Sequence, residues 1–206
     1  MSKSKVYNFI RWLTPIVACA AVGAFLFGIV FGLVQVPSGS MENTIPENSI
    51  SIILRKPFWN GMPERGDIIV FKPSVTNTVD ENSGNKSLLI KRVVGLPGDT
   101  VDIRNGITYI NGERYDEPWL KEQPEDLDFG PFIVGANEVF VMGDNRNHSV
   151  DSRYWISPMV GFENFVGILI HTFNKLGQGF PHLQVGGEIG PLSHILWPTA
   201  LLCDII

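Results

Sequence analysis

This 206-residue chain has few cysteines and histidines and no net positive charge, and each of these features argues against a class of protein. The two cysteines, Cys19 and Cys203, lie in an apolar segment and near the C-terminus, which argues against a structural disulfide and leaves too few thiolates for a zinc site. A net charge of −5 does not suit a nucleic-acid partner. Three histidines lie towards or within the C-terminal tail, and His148 has no paired acid at a recognisable spacing. Metal, nucleic-acid and histidine-based functions are therefore not indicated.

Charge is missing altogether from Trp12–Val36, an apolar run that only Thr14, Pro15 and Gln35 interrupt. About 20 apolar residues cross a bilayer, whereas the apolar core of a cleavable signal peptide is only about 7–15 residues long. The run therefore predicts a transmembrane anchor at 12–36 rather than a signal peptide. We expect the breakers Pro37 and Gly39 to end its helix.

Basic residues before the anchor predict its orientation. Lys3, Lys5 and Arg11 should hold residues 1–11 in the cytoplasm by the positive-inside rule. Everything after Pro37 then lies on the far side of the membrane. Arg55 and Lys56 weaken this bias without reversing it.

The rest of the chain lacks strong amphipathic helices between residues 40 and 170, and its short β-branched runs indicate a mainly β ectodomain at 37–172. Asn105-Gly106 suits a two-residue type I′ turn and predicts a hairpin. Residues 73–87 are polar and predict an exposed loop, and the Gly- and Pro-rich tail at 173–206 has no assignable role. The predicted strands are Ser49–Leu54, Ile68–Phe71, Leu88–Val94, Val101–Arg104, Ile107–Ile110 and Glu138–Met142.

Ser40 lies a few residues beyond the anchor, in a Pro-Ser-Gly-Ser-Met segment at 37–41. Such a segment is most often a flexible linker. A serine hydroxyl becomes a good nucleophile only when a neighbouring base takes its proton. A catalytic role for Ser40 therefore requires a base from elsewhere in the chain.

Lys91 is the best candidate for that base. In an apolar strand it shares one face with Leu89 and Val93, and desolvation there lowers a lysine pKa. A free lysine has a pKa near 10.4, and a general base at neutral pH needs about 7–8. The alternative is a lysine that reaches water from a sheet edge; the adjacent Arg92 and the following Gly-Leu-Pro-Gly-Asp turn favour a functional role.

A third polar cluster, Gly143–Arg153, follows a predicted strand and holds two acids, two arginines and two serines. Aspartate and arginine form bidentate hydrogen-bonded pairs. Such a loop is usually just a satisfied turn, but the number of complementary groups predicts a scaffold beside a site. Ser149 in this loop could orient a lysine amine.

Together these segments resemble the type I signal peptidase family, the bacterial membrane-bound leader peptidases. Four motifs carry the resemblance, in family order after an anchor: Pro37–Met41, Arg65–Phe71, Lys91–Asp99 and Gly143–Arg153. Each motif is only suggestive by itself, whereas the ordered set over about residues 12–170 is specific.

The resemblance implies a bacterial cytoplasmic-membrane serine endopeptidase that removes signal peptides from exported preproteins without a cofactor, cutting after small residues. It implies Ser40 as nucleophile and Lys91 as general base, with an oxyanion hole from the Ser40 N–H and the Ser38 hydroxyl. It also implies a smaller β excursion at about 100–136. The other implied roles are orientation of Lys91 by Ser149, loop support by Asp144, Arg146, Asp151 and Arg153, and small-side-chain pockets shaped by Val36, Met41 and Ile90.

The chain departs from the family pattern at Asn43, where proline is usual, and over Ile156–Met159. Two other interpretations stay open: a relative specialised for few substrates, as in an organelle inner membrane or in pilin processing, and a non-catalytic anchored β domain that binds exported proteins. Oligomeric state is not indicated.

Overall fold

A computed structural model describes residues 3–59, 61–74 and 88–173. Within these ranges the chain forms one long N-terminal helix and eleven strands in two antiparallel sheets, which confirms the predicted β-rich fold. The predicted loop at 73–87 and the tail at 173–206 lie almost wholly outside the described residues. The helix α1 is Lys3–Val30, and the strands β1 to β11 are Phe31–Val36, Ser49–Arg55, Ile68–Phe71, Leu89–Gly95, Thr100–Arg104, Ile107–Ile110, Glu113–Arg114, Phe129–Ile133, Glu138–Met142, Met159–Gly161 and Phe165–Phe173.

The predicted anchor boundary is wrong at its C-terminal end. Helix α1 stops at Val30, and the last six residues of the predicted span form β1 instead. In β1 the burial alternates, with Gly32, Val34 and Val36 inside, and the strand pairs with β2. Because a continuous apolar run suits a spanning helix and a buried strand equally, hydrophobicity could not separate them.

Within α1, Tyr7–Val30 is long and apolar enough to cross a membrane, and none of its apolar window is buried within the described part of the chain. A breaker is not needed to end the helix, since pairing with β2 takes over the backbone hydrogen bonds of Phe31 onwards. Pro37 and Ser38 instead separate β1 from a short 3₁₀ turn at Gly39–Met41, of which Gly39 is the first residue.

The larger sheet has seven strands in the order β1-β2-β11-β3-β4-β9-β10, so β4 is an interior strand. The four-residue β3 is buried throughout, as is nearly all of β4. Side chains such as Ile69, Phe71 and Phe140 are fully buried around these strands. A polar side chain on β4 is therefore surrounded by buried apolar residues and has little access to water.

The smaller sheet, in the order β7-β6-β5-β8, comes from residues 100–133 and corresponds to the predicted excursion. Its hairpin turns at Asn105-Gly106, where both residues have positive φ, as a type I′ turn requires. Between β7 and β8, residues 115–128 run towards the loop after β9, where the Lys121 N–H donates to Asp144 O at 3.4 Å.

Candidate active site

Ser40 is placed by the turn that follows β1. The 3₁₀ turn Gly39–Met41 buries both Ser40 and Met41. Asn145 holds the turn at two points: its backbone N–H donates to Ser40 O at 3.1 Å, and its Nδ2 donates to Gly39 O at 2.9 Å. Two adjacent carbonyls are thus tied to one residue of the loop after β9, so the serine is in no flexible linker.

Lys91 reaches Ser40 from the interior of the larger sheet. Strand β4 pairs with β3 on one side, where Lys91 lies opposite Ile69, and with β9 on the other. Its side chain is only 4% exposed, and Nζ donates a hydrogen bond to Ser40 Oγ at 2.7 Å. A base and a hydroxyl at this separation meet the geometric requirement for proton transfer.

Burial lowers the pKa of the Lys91 amine from 10.5 to about 8, because the dry surroundings disfavour its charged form. Asp151 and Asp144 act in the opposite direction and Arg153 in the same one, but all three are weaker influences than burial. The lysine is therefore neutral in a useful fraction of molecules near neutral pH.

Asp151 organises the loop beside this pair. Its carboxylate is fully buried and accepts hydrogen bonds from the Ser149 hydroxyl at 2.7 Å and the Gly143 N–H at 2.9 Å. The Arg153 guanidinium adds a short ion pair of 2.8 Å. Burial alone would raise the pKa of Asp151, but these partners hold it below its ordinary value. The carboxylate is an acceptor that fixes the whole loop.

Arg146 and Asp144, the other two loop-supporting residues predicted from sequence, form separate ion pairs. Arg146 pairs with Glu117 through two hydrogen bonds, with both side chains nearly inaccessible to solvent. Asp144 accepts from Arg92 Nε at 2.8 Å and Nη2 at 2.6 Å, and Thr44 Oγ1 also donates to it. Three buried ion pairs thus involve residues of the loop after β9, and their role as a scaffold for Ser40 stays a prediction.

Ser38 and the three predicted pocket residues also lie at the site. The hydroxyls of Ser38 and Ser40 are 3.4 Å apart. Val36, Met41 and Ile90 are buried together in one apolar cluster with Ile45. The structure brings these residues together; their roles as oxyanion donor and pocket wall stay predictions.

Comparison with known proteins gives a consistent result. The sequence model for "Signal peptidase, peptidase S26" matches residues 9–173. The chain is 38% identical over 146 residues to signal peptidase I of Leptolyngbya laminosa, covering 69% of this chain and 70% of that protein. It is 34% identical over 188 residues to signal peptidase I S of Bacillus subtilis, covering 84% and 95%.

This chain belongs to the signal peptidase family. A crystal structure of a signal peptidase I from Enterococcus faecalis is also similar, at 31% identity and a TM-score of 0.42, covering 53% of this chain and 98% of that one. The family match includes α1 from residue 9 onwards and every site residue named above.

In this member of the signal peptidase family, the sequence alone does not identify several residues of the site. The sequence gives Arg92 no role beyond its position next to Lys91, although it carries the ion pair with Asp144. Asn145 lay inside the third cluster without a role. Thr44 and Glu117 are distant in sequence from their partners, so no local pattern could have indicated them.

Metal ligands do not converge at this peptidase site or elsewhere in residues 3–59, 61–74 and 88–173: no three His, Cys, Asp or Glu side chains there are placed to hold an ion. The acidic side chains near Ser40 are engaged by arginines and hydroxyls instead.

Proposed function

We propose that this chain is a membrane-anchored serine endopeptidase that removes N-terminal signal peptides from exported preproteins by Ser–Lys catalysis. The observation that carries the proposal is the 2.7 Å hydrogen bond from Lys91 Nζ to Ser40 Oγ inside a buried site. Family membership supports a peptidase, and relatives named signal peptidase I support preproteins as substrates. No cofactor takes part in the steps below.

Acylation begins when neutral Lys91 takes the hydroxyl proton of Ser40. The freed Oγ attacks the scissile carbonyl carbon, and the resulting oxyanion receives hydrogen bonds from the Ser40 N–H and the Ser38 hydroxyl. The Lys91 ammonium then donates its proton to the leaving amine, and the C–N bond breaks. The product is an ester between Ser40 and the signal peptide's new C-terminus.

Deacylation repeats the proton transfers with water. Neutral Lys91 accepts a proton from water, whose oxygen attacks the ester carbonyl, and Ser40 Oγ leaves and recovers the proton from Lys91. Proton exchange through one amine in both half-reactions needs a base that is uncharged at the start of each, which the lowered pKa of Lys91 supplies.

Ser149 fits the role of orienting Lys91. Its hydroxyl hydrogen is committed to Asp151 Oδ2, so the oxygen lone pairs remain free to accept from an amine. Asp151 would therefore act on Lys91 through Ser149, and Arg153 through Asp151.

The sheet face next to the helix supports catalysis at the membrane surface. Leu33, Ile50 and Phe173 are exposed apolar residues on the neighbouring strands β1, β2 and β11, and Ile50 lies opposite Phe173 in the register. Strand β1 follows α1 directly, and its six residues put about 20 Å of extended chain between the helix and the segment that carries Ser40. If this face lies against the lipid, Ser40 stays close to the bilayer despite that distance.

Cleavage after small side chains is proposed from the crowding around Ser40, where Val36, Met41 and Ile90 pack closely. The basic N-terminus supports a cytoplasmic start and an extracytoplasmic catalytic domain in a bacterial cytoplasmic membrane.

Processing of a model precursor by purified full-length protein in detergent tests the proposal. We expect Ser40→Ala and Lys91→Ala each to lose nearly all cleavage, while Lys72→Ala, which removes an exposed lysine, keeps it. A serine-reactive acylating probe should label residue 40 in the wild type and in Lys72→Ala, but not in the other two variants. Equal cleavage by the wild type and Lys91→Ala would remove lysine from the mechanism.

Two alternatives make different predictions in the same assays. A substrate-specialised relative would cut only one or a few members of a precursor panel. A non-catalytic binding domain would retain its function in Ser40→Ala and leave residue 40 unlabelled. The buried contact of Ser40 with Lys91 favours an enzyme over the binding domain.

A further inference from the structure

The turn directly after Ser40 requires a residue that tolerates a positive φ. Thr44 N donates to Met41 O at 3.1 Å, which closes a four-residue turn. Glu42 has φ −59° and ψ 146°, and Asn43 has φ +88°, as in a type II turn with Asn43 at its third position. Glycine or asparagine suits that position, and proline, with φ near −65°, cannot adopt it.

The Asn43 side chain is used as well as its backbone. Its Nδ2 donates to Trp119 O at 3.0 Å and to Leu120 O at 3.4 Å. The next residue, Lys121, forms an ion pair with Glu42 at 2.5 Å and donates its N–H to Asp144 O at 3.4 Å. Residues 117–121, which we call the strap, thus lie alongside the nucleophile turn.

The strap is itself held by the buried scaffold. At its start, Glu117 forms the nearly inaccessible ion pair with Arg146. At its middle, the Arg92 guanidinium stacks over the Trp119 ring at 4.4 Å while pairing with Asp144. A segment fixed at these points can serve as an immobile support for whatever is tied to it.

We propose that Asn43 is a positioning residue that ties the nucleophile turn to the strap and thereby keeps Ser40 Oγ in line with Lys91. The proposal rests on the proposed function. Asn145 holds Gly39 and Ser40 from one side of the serine, and Asn43 holds the chain immediately after Met41 from the other. With both ties in place, the nucleophile cannot shift along its own turn.

Loss of the second tie should affect the rate more than binding. A displacement of about 1 Å in a reacting group can cost on the order of 10²-fold in rate. Since the Asn145 tie remains, we expect a smaller loss, about tenfold in kcat. Lys91 stays buried, so the pH at which activity is half-maximal should not move.

Asn43→Gly tests this directly, because glycine accepts the positive φ but cannot donate to the strap. Cleavage of a short peptide substrate by full-length protein would give kcat, KM and the pH profile. We expect kcat to fall about tenfold with KM and the pH midpoint unchanged. Asn48→Gly is the matched control: Asn48 is another exposed asparagine at positive φ (+61°), immediately before β2, and its loss should leave kcat unaltered.

Asn43→Asp is the second variant. Aspartate tolerates the same backbone and has the same shape, but it presents a carboxylate to the carbonyls of Trp119 and Leu120 in place of a donor. It should lose at least as much kcat as Asn43→Gly. A kcat within twofold of wild type in either variant, or an equal fall in Asn48→Gly, would overturn the proposal. Failure of the proposed function itself would appear differently, as undiminished cleavage by Ser40→Ala.

Discussion

Lys91 owes its predicted reactivity to its strand position. An ammonium group is expensive to bury, and interior strand β4 leaves it 4% exposed with Ser40 Oγ as its hydrogen-bond partner. Asp151, the carboxylate with the largest effect on the pKa of Lys91, is already engaged by Arg153 and so restores only part of what burial removes. The site thus holds the pKa of Lys91 at about 8, so that the amine can lose its proton near neutral pH.

The pH dependence of cleavage should follow this amine. Because burial lowers the pKa of Lys91 from 10.5 to about 8, the fraction of neutral base rises about tenfold per pH unit below 8 and levels off above it. We expect kcat/KM for a peptide substrate to show the same rise and plateau. A midpoint close to 10.5 would mean that Lys91 is solvated in the working enzyme.

Ser38→Ala isolates the proposed oxyanion donor. The Ser38 hydroxyl lies 3.4 Å from Ser40 Oγ, and loss of one such donor typically lowers the rate about 10²–10³-fold. We expect that loss in kcat with little change in KM, measured on the same peptide. Ser38→Thr keeps a hydroxyl and should retain much more activity. Equal losses in both variants would assign the effect to packing around the exposed Ser38 rather than to its hydroxyl.

The loop after β9 depends on close backbone approach. A Cβ added to Gly143 would lie 2.5 Å from Ser40 O and 2.6 Å from Ser149 Cβ, and closer still to Ser149 Oγ. Since one obstacle is the backbone of the nucleophile, no rotamer change can relieve it. The nucleophile turn and the Ser149–Asp151 segment can meet only across a glycine.

Gly143→Ala should therefore damage catalysis beyond its effect on folding. We expect overpacking to cost about 1–3 kcal/mol of unfolding free energy, and kcat to fall by about 10²-fold as Ser40 shifts. Gly39→Ala provides the control, because a Cβ there would meet only Glu42 and Glu47 side-chain atoms at 3.6 Å or more. Denaturation midpoints and kcat for both variants would check this; similar kcat values would contradict the clash.

The orientation of the larger sheet on the membrane determines how close Ser40 lies to the lipid. Tyr7–Val30 can cross a bilayer, and the strand that continues from it carries exposed Leu33 on the same sheet face as exposed Ile50 of β2, two residue pairs away in the register. Apolar side chains next to a membrane exit gain free energy by leaving water. A sheet lying on the lipid would hold Ser40, the proposed nucleophile, at the level where a signal peptide ends.

Single-cysteine labelling of the reconstituted full-length protein can test that orientation. In a Cys19→Ala, Cys203→Ala background, a polarity-sensitive fluorophore at Leu33→Cys or Ile50→Cys should shift to the blue in phospholipid vesicles. Ile133→Cys is the control, since Ile133 is 75% exposed on the smaller sheet. Identical spectra at all three positions would show that the apolar face remains in water.

Several features of this protein can be predicted from local sequence patterns and from the order of motifs along the chain. An uncharged run long enough to cross a bilayer is visible without a fold, and so are a lysine within an apolar strand and an Asn-Gly hairpin turn, because each depends on neighbouring residues. The ordered motifs around Ser40 and Lys91 indicated the family before any contact was known. These conclusions concern residue type, local periodicity and succession.

Contacts between segments that are far apart in the sequence can be identified only from the folded structure. The division of one apolar run between α1 and β1 depends on pairing with β2, and the support of Ser40 depends on Asn145, Thr44 and Glu117 reaching partners far along the chain. Ion pairs and close packing are set by three-dimensional proximity, for which a linear pattern carries no signal. The separation of Ser40 Oγ and Lys91 Nζ is of this kind, since the two residues are 51 positions apart in the sequence, in a turn and a strand that only the sheet brings together.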